Sequence, residues 1–141
     1  SAPARIDNDL IRIFFLQWMN LFWYKLRMAD ETGIPVVFWA SETGTEPVRD
    51  WLKGLDKEDR RQIGEDIKTV QFGWPVGMPV CRPMGKGLFE VRSRISDGRI
   101  ARVLFCFHAH QMVLLHGFIK KSQKTPKPDL DLALKRQKQM E

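Results

Sequence analysis

From Ile34 onward, apolar and polar positions fall into an ordered series of periods. Val36-Val37-Phe38-Trp39, a β-branched and aromatic run behind Pro35, predicts a short strand. After a turn at Ser41-Glu42-Thr43-Gly44, Thr45 is placed to cap a helix with Glu46 and Pro47 in its first turn. Val48, Trp51, Leu52 and Leu55 give that helix an i, i+3, i+4, i+7 apolar stripe. Asp56 opens a second helix with Asp59 in the capping-box position, Ile63, Ile67 and Val70 as its buried stripe, and Gly73 as its stop. Residues 73–87, with Pro75, Pro79 and Pro83, predict a loop. The period then changes to two, with strands over 88–95, 99–107 and 111–118. Asp97-Gly98 supplies the positive φ angles of the first hairpin turn, and His108-Ala109-His110 makes the second. Residues 120–128 form a basic loop, and Asp129 starts a C-terminal helix. This order predicts an α+β domain with helices packed on one face of an antiparallel sheet.

The first 33 residues stand apart. The stretch LIRIFFLQWMNLFWYKL, residues 10–26, is dense in aromatics and near helical spacing. Arg12, Gln17, Asn20 and Lys25 interrupt it, which argues against a membrane span, and it lacks the cleavage pattern of a signal peptide. It reads as an N-terminal extension: a helix docked on the domain, or a leader ahead of a compact domain over 34–141.

Charge sharpens the picture. The net charge of the 141 residues is +6, yet residues 82–127 alone hold ten basic and two acidic side chains, a local +8. A positive field confined to one segment and interleaved with strand-forming residues suits a nucleic-acid binder. The alternative is a solvated basic face. Cys81 and Cys106 are too few for a disulfide framework and lack CxxC spacing. A buried thiol is the reading for Cys106, and a reducing, cytoplasmic setting is expected. Three histidines and two scattered cysteines do not form a metal-ligand pattern, so no metal and no cofactor is expected.

Alternation puts Leu88, Glu90, Arg92 and Arg94 on one face of the first meander strand. On the next, Arg102 sides with Ile100, Leu104 and Cys106; on the third, His116 sides with Met112, Leu114 and Phe118. An arginine flanked by Ala101 and Val103 is costly to bury unless it is paired or lines a site. Arg102 is therefore either the partner of Glu90 in a cross-strand salt bridge or a guanidinium fork for phosphate. His116 is either a satisfied core histidine or a proton carrier working near neutrality.

The run His116-Gly117-Phe118-Ile119-Lys120-Lys121-Ser122-Gln123-Lys124-Thr125-Pro126 resembles the signature of phage-derived, HigB-like toxins of the RelE/HigB superfamily. PVVFW at 35–39, the Glu46-Pro47-Val48 helix start, LFEVR at 88–92 and IARVLF at 100–105 stand where that superfamily has them. The resemblance implies a RelE-like fold, with helices packed on a small twisted antiparallel sheet. It implies a toxin that cleaves mRNA in the ribosomal A site, held inactive by a cognate antitoxin, expected to be of helix-turn-helix type. Family roles carry over to Arg92, Arg102, Lys120 and Lys121, and His116 joins them as a catalytic candidate on its own chemistry. Lys86, Arg94, Arg99 and Lys124 are the further candidates for RNA contact. The sole tyrosine, Tyr24, lies outside the matching region, so His116 or a lysine must move the proton. Cleavage needs a base for the ribose 2′-OH, an acid for the 5′-oxygen and cations for the phosphorane, which these residue types supply without a metal. Two other readings use the same basic sheet: a non-catalytic RNA- or ribosome-binding module, and a regulatory protein that receives an acidic peptide.

Overall fold

A computed structural model describes residues 33–120 and 124–140. The aromatic extension and Lys121 lie outside the described residues. The elements are β1 (Val36–Phe38), α1 (Pro47–Lys53), α2 (Lys57–Gly73), β2 (Cys81–Gly85), β3 (Leu88–Arg94), β4 (Ile100–His108), β5 (Gln111–Lys120) and α3 (Lys127–Lys138). The strands form one sheet in the order β1-β5-β4-β3-β2. This is an α+β fold of the expected kind, with helices packed on a small sheet.

Three features depart from the periodicity. First, the sheet is mixed. β1 runs parallel to β5, Val36 opposite Met112 and Phe38 opposite Leu114, because two helices carry the chain away before it returns. Second, β2 lies inside the expected loop, paired antiparallel with β3. Its proline, Pro83, disguises it; proline is tolerated because β2 is an edge strand, and the register slips between Pro83 and Gly85. Third, helices cover both faces of the sheet. α1 and α2 pack Val48, Leu52, Ile63 and Ile67 against Val91, Val103, Phe105 and Leu114. α3 packs Ala133, Leu130 and Leu134 against Leu88, Leu104, Cys106 and Leu115 on the opposite face.

A bulge in β5 decides which side His116 takes. Leu104 pairs with His116 and Phe105 with Leu114, so Leu115 has no partner of its own. Strict alternation would have grouped His116 with Met112 and Leu114. The extra residue instead turns His116 and Phe118 to the α3 face and leaves Met112 and Leu114 facing α1 and α2. Gly117 then also faces α1. A Cβ there would lie 2.4 Å from Trp51 Cε3, so only glycine lets the indole rest on the strand.

The expected caps are absent as well. The N-cap of α1 is Glu46 rather than the expected Thr45, and neither Glu46 nor Asp56 makes a side-chain cap. Asp59 is not a capping-box partner either. Its carboxylate accepts hydrogen bonds from Ser96 N and Ser96 Oγ, both at 3.1 Å, and from Arg99 Nη2 at 2.9 Å. That clasp ties α2 to the β3–β4 turn, where Asp97 and Gly98 take the expected positive φ.

Candidate functional site

The α3 face of the sheet is apolar at one end and charged at the other. Successive ladder rows across it read Arg82-Glu90-Leu104-His116, then Arg92-Arg102-Phe118, then Arg94-Ile100-Lys120. Two residues along a strand separate neighbouring rows, about 6.7 Å. α3 covers Leu104 and its apolar neighbours, and its first turn ends beside the charged rows.

Glu90 is the hub. It is fully buried, and Arg82 Nη2 lies 3.2 Å and Arg92 Nε 4.0 Å from its Oε1. Thr125 Oγ1 donates to Oε2. Arg102 is also fully buried. Its pKa is lowered by loss of solvent, against the favourable field of Glu90 and with the repulsion of Arg92 and Arg82. A guanidinium nevertheless stays charged near neutrality. Among the described residues, three guanidiniums thus stand near the buried carboxylate of Glu90, and guanidinium forks of this kind suit an anion.

One diagonal step from Arg102, about 7–8 Å between Cα atoms, sits His116. Its Nε2 is 2.7 Å from Asp129 Oδ1, and its ring stacks on Phe118 with centroids 5.4 Å apart. With Asp129 ionised and the ring neutral, Nε2 would donate in this pair and Nδ1 would hold the free lone pair. Asp129 reaches His116 because Lys127 and Pro128 open α3 just ahead of it. The far end of α3 is fixed too: Arg136 Nη1 donates to Leu115 O at 2.8 Å, and its guanidinium lies 4.9 Å from the Trp39 ring.

Not every candidate joins these rows. Arg92, Arg102, His116, Arg94 and Lys120 share the face, with Arg94 and Lys120 exposed at its outer row. Lys124 is exposed in the segment leading to Thr125. Arg99 is taken up by the Asp59 clasp. Lys86 sits at the β2–β3 turn, at the other end of the sheet, where its carbonyl accepts from Gln137 Nε2 at 3.2 Å. Three participants escaped the sequence: Arg82, hidden in a proline-rich stretch, Thr125, and Asp129 as a histidine partner. Among the described residues no group of three His, Cys, Asp or Glu side chains is arranged to hold a metal ion. Cys81 and Cys106 are buried free thiols with pKa pushed up to about 11 by burial, which keeps them protonated and unreactive. No described helix is long and apolar enough to cross a membrane.

The model of the family described as "Phage derived protein Gp49-like (DUF891)" matches residues 50–138. The chain belongs to the Gp49-like family. This phage-derived family is of the RelE-like toxin type. The matched span runs from α1 to the end of α3, so it contains every arginine of the three rows, Glu90, His116 and Asp129. In this Gp49-like chain the sheet and its C-terminal helix thus form one family unit, and β1 is added from outside the match. No curated protein matches the chain.

Proposed function

We propose that this chain is the toxin of a toxin–antitoxin pair and an endoribonuclease that cuts mRNA on the ribosome. What carries the reading is one observation: Arg82, Arg92 and Arg102 surround a single buried glutamate on the face that also holds the His116–Asp129 pair. A scissile phosphate beside Arg92 and Arg82, which keep some exposure, would have Arg102 buried behind them and a proton carrier on the same face. His116 Nδ1 takes the proton of the ribose 2′-OH, and the 2′-oxygen attacks phosphorus. The bond to the 5′-oxygen breaks, leaving a 2′,3′-cyclic phosphate, and a protonated lysine of the outer row, Lys120, returns a proton to the departing 5′-oxygen. Arg102 and Arg92 stabilise the charge that grows on the phosphorane. Asp129 orients the imidazole and stabilises its protonated form, so it is a positioning residue.

An uncontrolled nuclease of the cytoplasm needs a partner, here a cognate antitoxin that covers the basic face. The binding-only reading draws on Glu90, which already neutralises part of the arginine charge. Induction of the full chain without its partner should arrest growth, and purified protein should cut mRNA on programmed ribosomes, leaving cyclic phosphate ends. His116→Ala should lower the single-turnover rate by about 10²–10⁴-fold with ribosome affinity unchanged. Intact mRNA at saturating soluble protein would leave the binding-only module standing.

A further inference from the structure

Where α2 crosses the ends of β3 and β4, a cavity of about 240 Å³ opens beside the arginine rows. Its lining falls into three chemical parts. Pro79, Val80 and Ile100 are apolar; Gln62, Asp66 and Ser93 are polar and uncharged or acidic; Arg92 and Arg94 are cationic. Arg92 belongs to both this cavity and the Glu90 cluster, and Arg94 is its exposed neighbour two residues along β3. Apolar walls, a polar edge and adjacent cations match the three parts of a single unstacked nucleotide: ring faces, a base edge and a phosphate.

Asp66 is the informative member. Within a strongly basic surface, a carboxylate repels RNA phosphates unless it meets hydrogen-bond donors. Gln62, one turn earlier on α2, donates from Nε2 to Asp66 Oδ2 at 3.2 Å and fixes the carboxylate. An ionised carboxyl offers about four acceptor sites, so both oxygens remain able to accept more. Burial raises the Asp66 pKa, and the Gln62 donor opposes the rise. Guanine has two adjacent donors on its Watson–Crick edge, N1–H and the N2 amine. Cytosine and adenine set one donor beside an acceptor, and uracil sets one donor between two acceptors. A two-oxygen acceptor therefore fits guanine best.

We propose that this cavity is a base-reading pocket in which Asp66 selects a guanine next to the phosphate held by Arg92. The inference rests on the RNA-cleaving reading above for its biological meaning, and its test is arranged to fail separately. Binding of the full chain is measured with short oligoribonucleotides carrying a central guanosine, inosine, adenosine or uridine. Inosine keeps N1–H and lacks only the N2 amine. The wild type should prefer guanosine to uridine by about 5- to 150-fold, the discrimination of one good two-point contact, with inosine in between. Asp66→Asn should bind all four alike. Equal wild-type affinity for guanosine and inosine overturns the pocket whatever the protein cleaves, and that comparison needs no variant to fold. A guanosine preference with no cleavage on ribosomes would retain the pocket and refute the nuclease. With cleavage present, cut sites should lie beside guanosine for the wild type and lose that bias in Asp66→Asn.

Discussion

The two faces of the sheet solve different problems with the same strands. Towards α1 and α2, buried residues such as Phe105, Leu114, Ile63 and Ile67 mesh in an apolar cluster, and the buried charges Asp59 and Lys68 belong to α2 itself. Towards α3, only half of the face is apolar, and the rest buries Glu90 and Arg102 with Arg82 and Arg92 beside them. Burying ions offsets much of their mutual attraction by desolvation, so such a cluster is weak support for a fold. The contrast teaches that one face holds the domain together while the other holds charge in place.

The comparison can be broken by mutation. The largest effect should come from the apolar face: Phe105→Ala leaves a cavity in a ring cluster with Trp74, Phe89 and Phe107 and should cost about 3–5 kcal/mol in denaturant unfolding. A loss below about 1 kcal/mol would mean that this face is not the main source of stability.

Next comes Arg102→Ala. Glu90 keeps Arg82, Arg92 and Thr125 as partners, so the fold should survive. Ribosome-bound cleavage should fall by about 10²–10³-fold, as for loss of one transition-state cation or donor. If Arg102→Ala and Glu90→Gln both unfold the chain, the cluster is a structural ion network and the two faces share one task. The smallest effect separates two lysines. Lys120 ends β5 and is fixed by the sheet, whereas Lys124 lies beyond it and is exposed. Lys120→Ala should slow cleavage of already bound mRNA. Lys124→Ala should leave that rate alone and reduce the slope of log affinity against log salt by about one unit. Equal losses of bound-state rate would erase the distinction.

Much of this was legible in the chain. The stripe Val48-Trp51-Leu52-Leu55, the stripe Ile63-Ile67-Val70 and the two-residue period after Leu88 each announce their element, because a helix or strand buries residues at its own repeat. Asp97-Gly98 announces its turn in the same local way. The concentration of arginine and lysine over 82–127 marks the charged surface, and the HGFIKKSQKTP run points to the RelE-like class to which the Gp49-like family belongs. Arg92, Arg102 and His116 were visible as unusual residues in apolar strands.

What the residues could not declare alone were relations between distant segments. Pro83 obscures β2, and its edge position, known only once the strand order is set, is what makes that proline admissible. The bulge at Leu115 moves His116 to the α3 face, where Asp129 meets it; no local propensity records that slip, because the partner strand defines it. Thr125 reads as part of a loop until the chain folds back and lays its hydroxyl on Glu90. Asp59 looks like a cap until Ser96 and Arg99 arrive from the far hairpin. Periodicity is a property of consecutive residues, so the elements, the sign of the field and the kinds of side chain available for chemistry are written locally in the chain. Register, face and ion partnership are properties of pairs far apart in the chain, and only tertiary packing decided which guanidiniums gather round Glu90 and which carboxylate holds His116.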